Sequence, residues 1–229
     1  MKNILLIGGS HGIGLEIITL MAPSAQLFVA SRTAPEKSHE NITHIPFDVL
    51  SDTLDMTLMP EQIDGFVYCP GSINLKPLKM LSNEAFRSDM EINFFAMLPI
   101  VQSIMPRMSL GSSIVYFSTV AVGMGMPFHA SIAAAKGAVE GFTKSLAAEY
   151  APKIRVNCIA PSLTDTPLAG RLLNNEKKRE MMDARHPLKR VGTPADIAQM
   201  AVFLLSDQSS WMSGQILGVD GGMSSLNVH

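Results

Sequence analysis

The sequence predicts an α/β protein, a doubly wound parallel sheet in a single domain. Three observations carry this. Short apolar runs alternate with helix-length amphipathic segments, a glycine-rich loop follows the first run, and 229 residues of 47% hydrophobic composition hold no charge-rich or low-complexity block, internal repeat or linker. The expected strands are residues 3–7, 26–30, 42–45, 63–69, 113–117, 155–159 and 215–219, each a short apolar run. Residues 12–21 form the first crossover helix. Residues 83–108 read as one long helix despite Pro99, which must kink it or cost it a hydrogen bond, and residues 129–150 as a second, alanine-rich one. Thr193-Pro194 opens a further helix that ends near Ser206. Ligands of such a sheet sit at the carboxyl ends of its strands.

A net charge of −2 with scattered Lys and Arg gives no basic face for nucleic acid. No apolar run reaches the roughly eighteen residues of a membrane span, so neither nucleic acid nor membrane is an expected partner. Residues 1–8 are apolar but too short for a signal peptide and lack its cleavage pattern, and a cytoplasmic location is expected by default. Cys69 and Cys158 lie in strand-like runs, which favours buried thiols over a disulfide or a metal ligand. His11, His39, His44, His129, His186 and His229 lack metal-ligand spacing, and no metal is expected.

Gly8-Gly9-Ser10-His11-Gly12-Ile13-Gly14 lies between a predicted strand and a predicted helix. A turn without side chains there lets backbone N–H groups and the positive end of the helix approach a pyrophosphate. The Gly-x-x-x-Gly-x-Gly spacing resembles the loop of the short-chain dehydrogenase/reductase family, whose members are Rossmann-type proteins binding NAD(P)(H). The resemblance runs through nearly the whole chain. Asp48-Val49 looks like the family's adenine-side Asp-Val, and Asp64 with Tyr68-Cys69-Pro70-Gly71 stands where the family has Asp…Asn-Asn-Ala-Gly, so that of this segment only Gly71 carries over. Asn93 matches the active-site asparagine, Pro161-Ser162-Leu163-Thr164-Asp165-Thr166 matches Pro-Gly-x-x-x-Thr with Ser162 where glycine is usual, and Asp220-Gly221-Gly222 matches the terminal Asp-Gly-Gly. The resemblance implies cofactor contacts from Gly8, Ser10, His11, Gly12, Ile13, Gly14, Asp48, Val49, Gly71, Pro161, Leu163 and Thr166.

At the end of the second strand a carboxylate would accept hydrogen bonds from both ribose hydroxyls and repel a 2′-phosphate, whereas an arginine attracts that phosphate. This chain has Ala30-Ser31-Arg32-Thr33 and no acid. Ser31 can donate to a phosphate oxygen, Arg32 can clamp it, and His11 can add a donor. NADP(H) is favoured over NAD(H).

In the family a tyrosine four residues before a lysine exchanges the substrate proton. The lysine binds the nicotinamide ribose, a serine orients the substrate oxygen and an asparagine supports a proton relay. Lys136 in Ala133-Ala134-Ala135-Lys136-Gly137 aligns with that lysine, but four residues back stands Ile132. Counted from the same anchor, the serine position falls on Thr119, with Ser118 beside it. Asn93, Thr119 and Lys136 therefore keep three of the four roles. His129 lies three residues before Ile132 and seven before Lys136, one face of a helix that starts early enough, and is either a substitute acid or a residue that flanks the helix and lines the pocket. Ser131 and Tyr68 are weaker candidates. The layout also resembles that of the family's enoyl reductases, which carry their tyrosine seven residues before the lysine.

Residues 168–190 correspond to the family's mobile substrate lid, with Met181 and Met182 as adaptable apolar contacts, and Met124, Met126, Pro127 and Phe128 as further pocket wall. A small apolar or amphipathic substrate and a homodimer or homotetramer are expected. Two functions remain: an NADP(H)-dependent oxidoreductase acting on a carbonyl/alcohol or activated C=C bond, and a catalytically inactive NADP(H)-binding sensor or scaffold.

Overall fold

The computed structural model describes residues 1–227, and His229 lies outside them. Seven strands, β1 (Lys2–Ile7), β2 (Ala25–Ser31), β3 (Ile42–Pro46), β4 (Ile63–Tyr68), β5 (Met108–Phe117), β6 (Ile154–Pro161) and β7 (Ile216–Val219), form one sheet. Their order is β3-β2-β1-β4-β5-β6-β7, and every neighbouring pair is parallel. The chain leaves β1 to one side for β2 and returns on the other for β4. Between these two strands the sheet order reverses and a crevice opens at their carboxyl ends.

Alternation along β1 explains why helices cover both faces. Ile4 and Leu6 pack with Ile17 and Ile18 of α1 (Gly12–Met21) and Ala198, Ala201 and Leu204 of α7 (Pro194–Leu205). Leu5 and Ile7 pack on the other face with Ile100 and Ile104 of α3 (Met97–Ile104) and Val139 and Leu146 of α5 (Ala130–Tyr150). A four-residue turn, α4 (Ala121–Met124), precedes α5, and α6 (Glu176–Arg185) lies in the polar stretch ahead of α7. No helix among the described residues is long and apolar enough to cross a membrane.

Three expectations are corrected. The single helix over 83–108 is divided into α2 (Asn83–Met90), a π-helical turn (Glu91–Phe95) and α3. The wide turn, in which the Ala96 N–H reaches the Glu91 carbonyl at 2.9 Å, comes before Pro99 rather than at it. Pro99 then falls in the first turn of α3, where a missing N–H costs little. The helix expected from 129 begins at Ala130, because His129 has φ −100° and ψ 8°, outside helical values. β5 starts at Met108, five residues before the apolar run at 113, since backbone pairing of Met108 with Ile63 needs no apolar side chains at Ser109 to Gly111.

α7 is fixed at its start by a reciprocal cap: Thr193 Oγ1 accepts from the Asp196 N–H, and the Asp196 carboxylate accepts from the Thr193 N–H at 2.7 Å. Arg190 grips the same carboxylate at 2.7 and 2.8 Å and holds its pKa well below the usual range. Thr193→Ala should cost about 1 kcal/mol. Thermal unfolding followed by circular dichroism should show a Tm lowered by about 2–4 °C, the range for a chain of this size.

Candidate active site

A cavity of about 580 Å³ runs along the carboxyl ends of the strands, from Arg32 past the glycine loop to Lys136. Gly8, Ser10, His11, Gly12, Ile13, Gly14, Ser31, Arg32, Asp48, Val49, Gly71, Pro161, Leu163 and Thr166 all line it, as do Thr119, His129 and Lys136. Asn93 does not: it is 0% exposed, behind the wall at Gly71.

The glycine loop has its form for steric reasons. Gly8 and Gly12 adopt φ of +83° and +56°, a region that side chains disfavour. A Cβ on Gly14 would lie 2.4 Å from the Gly8 carbonyl oxygen, so α1 packs its first turn directly on the end of β1. His11 occupies the N-cap of α1 without a side-chain hydrogen bond to the helix, which leaves the N–H groups of its first turn available to an anion. Thr166 packs against Gly12 and brings the end of β6 to the same loop. At the far end Arg32 is exposed on the cavity wall, while the Ser31 hydroxyl is buried and already donates to the Thr33 carbonyl at 2.8 Å. As it stands, Ser31 offers no free donor to a phosphate.

At the other end α5 carries Ile132 and Lys136 on the cavity wall, 5% and 9% exposed. No acid pairs with Lys136 among the described residues. Burial pushes its pKa down to about 8. The neighbouring Cys69 and Cys158 thiols are pushed up to about 12 by burial, so they are neutral. Thr119 Oγ1 accepts the Ala121 N–H at 3.3 Å and keeps its own proton uncommitted, whereas Ser118 donates to Glu140 at 2.6 Å. The ring of His129 lies at the cavity, with Nδ1 2.7 Å from the Pro127 carbonyl, which must accept an N–H there and leaves Nε2 as the free nitrogen.

The weaker candidates turn away. Ser131 donates to Asp89 at 2.6 Å, and Tyr68 donates to the Ile92 carbonyl at 2.8 Å with its pKa raised by burial, then by Glu91 and Cys69; neither lines the cavity. Of the apolar wall expected ahead of α5 only Met126 reaches the cavity. Met124 and Phe128 are exposed, because Gly125 and Phe128 with φ of +67° and +68° turn that loop outward. Met182 lines the cavity and Met181 faces solvent.

Residues 167–185 fold over the cavity as a 3₁₀ turn (Pro167–Leu172) and α6, closed at the neck by a bridge between Thr164 and Gly192. His186 anchors this excursion: buried, it places Nε2 2.9 Å from Ser162 Oγ and Nδ1 2.8 Å from the Met182 carbonyl. His186, Arg185 and Ser72 all line the cavity, and sequence reasoning missed them. No spacing rule links Ser162 to a histidine 24 residues on.

Residues 48–224 match the family model described as enoyl-(acyl carrier protein) reductase. The chain is 32% identical to the 3-oxoacyl-(acyl-carrier-protein) reductase FabG of Chlamydia muridarum, over 97% of both chains. It is 31% identical to the 2,5-dichloro-2,5-cyclohexadiene-1,4-diol dehydrogenase of Sphingobium indicum, over 98% of both. Its fold superimposes on a short chain dehydrogenase family protein of Francisella tularensis with a TM-score of 0.89 and 25% identity, covering 99% of this chain and 100% of that one.

Lys136 gives the folded protein a measurable proton linkage. The folded chain releases this proton near pH 8 and the unfolded chain near 10.5, so between those values the unfolded state binds more protons, and the contribution of Lys136 to stability rises with pH. Urea unfolding of wild type and Lys136→Met should show the difference moving in favour of wild type by about 3 kcal/mol from pH 7.5 to 10.5, at 1.36 kcal/mol per pKa unit. A difference that stays flat would mean that the ammonium is hydrated.

Proposed function

The chain belongs to the short-chain dehydrogenase/reductase family, and from that premise we propose that it is an NADP(H)-dependent oxidoreductase acting on a carbonyl/alcohol or an activated C=C bond, with Ile132 in place of the family's tyrosine. One observation carries the reading: a single cavity joins Arg32, the glycine loop, Lys136, Thr119 and His129. That order suits a 2′-phosphate, a pyrophosphate, a nicotinamide ribose and a reacting group in turn. The crowding of Gly14 on Gly8 and the uncapped start of α1 fit a phosphate-binding turn. Relatives named as reductases and dehydrogenases support hydride chemistry.

When bound, the dinucleotide supplies or accepts a hydride at its nicotinamide ring. Lys136 Nζ binds the ribose hydroxyls, and Thr119 donates its uncommitted proton to the polar atom of the substrate. His129, as an imidazolium, releases a proton from Nε2 to the substrate atom that receives the electron pair, while Nδ1–H stays on the Pro127 carbonyl; in the oxidation direction Nε2 takes the proton back. Asn93 supports the proton path from behind the wall. Residues 168–190 act as a lid, with Leu168, Leu172 and Met182 excluding water. The protein works on a small molecule in the cytoplasm as a homodimer or homotetramer.

A second reading, a non-catalytic NADP(H)-binding sensor or scaffold, rests on Ile132, which places a side chain with no exchangeable proton on the wall beside Lys136. Fluorescence titration should give tighter binding of NADPH than NADH by about tenfold, as expected for one charged hydrogen-bonded contact, with Arg32→Ala erasing the difference. With ketones, aldehydes and enones, turnover should fall about 10²-fold or more in His129→Ala, the scale of a lost general acid. Binding without turnover on any of them selects the second reading, and carbonyl reduction gained by Ile132→Tyr would show that the other groups are poised.

A further inference from the structure

Between α2 and α5, behind the cavity wall, lies a hydrogen-bonded cluster centred on Asp89, a residue that the proposed reaction leaves unused. Asp89, in the last turn of α2, is 0% exposed and forms no ion pair among the described residues. Its carboxylate accepts from Ser131 of α5 at 2.6 Å, from Ser72 at 2.5 Å and from Asn74 Nδ2 at 3.2 Å. Such a set of donors is what a buried carboxylate without a cation requires.

The direction of each bond follows by elimination. A carboxylate only accepts, so the Ser72 proton points to Asp89, and Ser72 Oγ is left to accept from Asn93 Nδ2 at 2.9 Å. The second Nδ2 proton goes to the Asp89 backbone carbonyl at 2.8 Å, another group that can only accept. Both amide protons are thereby spent. Asn93 Oδ1 remains, buried and without a partner, and it faces Gly71, where an added Cβ would lie 3.0 Å from Oδ1 and 3.5 Å from Lys136 Nζ.

We propose that Asp89, acting through Ser72, is a positioning residue that holds the Asn93 carboxamide with its oxygen, and not its NH₂, towards Lys136. Without the carboxylate, Ser72 can turn its proton to Asn93, and the Asp89 backbone carbonyl alone then opposes a rotation of the amide that would set a donor beside an ammonium. Through Ser131 the same carboxylate ties the first turn of α5 to α2, one residue from Ile132.

The inference rests on the proposed function only where it concerns turnover, so its test has two readouts. The first is hydrogen exchange of the Asn93 side-chain amide by NMR, the resonance being identified by its loss in Asn93→Ala. Exchange should be slow in wild type and at least about tenfold faster in Ser72→Ala and Asp89→Ala, with protection regained in Asp89→Asn, which keeps one acceptor oxygen for Ser72. Fast exchange in wild type, or no change in Ser72→Ala, overturns the proposal. That measurement needs neither dinucleotide nor substrate, and Ser72→Ala leaves Asp89 its bonds to Ser131 and Asn74. The second readout uses any substrate that is turned over: Ser72→Ala should lower kcat with KM nearly unchanged, and should lower it no further in an Asn93→Ala background. Additive losses would assign the cluster to folding alone and overturn the positioning role. If wild type turns over nothing, the proposed function is what fails, and the amide exchange alone decides the role of Asp89.

Discussion

The contact of Gly14 on the Gly8 carbonyl oxygen sets the geometry on which the rest of the site depends. Gly14 can carry no side chain there without moving α1 off the end of β1, and a Cβ on Gly8, at φ of +83°, would crowd Pro70. Because the helix starts so close to the strand, its uncapped N–H groups open into the crevice where the strand order reverses, and not into solvent. Gly12 extends the constraint, since Thr166 packs on it and draws the end of β6 and the start of the 167–185 excursion over the same loop. The near and far walls of the cavity are thus spaced by backbone, which varies less than any pair of side chains would.

Around this frame, several departures from local rules lie at or just behind the cavity wall. An ammonium is buried without an acid at Lys136, a polar atom is buried without a partner at Asn93 Oδ1, a π turn interrupts the helix carrying Asn93, and Phe128 has φ of +68° one residue before His129. Each costs stability, and all four bear on elements within or just behind the cavity wall. Others lie away from the cavity: Ser109, Ser112 and Tyr116 of β5 hold buried hydroxyls without a partner, and Lys189 has φ of +55°.

What could be read from the sequence was whatever depends on near neighbours along the chain. The strands, the glycine loop and Arg32 lie where short runs and spacings put them, while Lys136 and Thr119 were picked out by the family resemblance and line the same cavity. Contacts made across the fold escaped. Pro99 announced a fault in the helix but could not say that the wide turn would precede it, which depends on how α3 beds against the sheet. Met124 and Phe128 are apolar, as a pocket wall should be, yet two positive φ angles turn them outward. The pairing of His186 with Ser162 and of Asp89 with Ser131 joins residues 24 and 42 apart, with no periodicity to betray it.

Those long-range pairs bear on whether the missing tyrosine marks an abandoned site. Ser162 stands where the family usually has glycine, and its hydroxyl meets His186, the anchor of the excursion over the cavity. Tyr68 replaces an asparagine of the family segment, and its buried hydroxyl is satisfied by the Ile92 carbonyl, next to Asn93. A chain kept only for its fold has no need of these groups, because an apolar side chain of similar size fills such positions without requiring a partner. At these two positions the replacements are polar and partnered, and they brace the 167–185 excursion and the turn that carries Asn93. Ile132 is the exception, an apolar side chain on the wall beside Lys136, and the polar groups left at that end of the cavity are Thr119 and the ring of His129, whose Nδ1 is held by the Pro127 carbonyl.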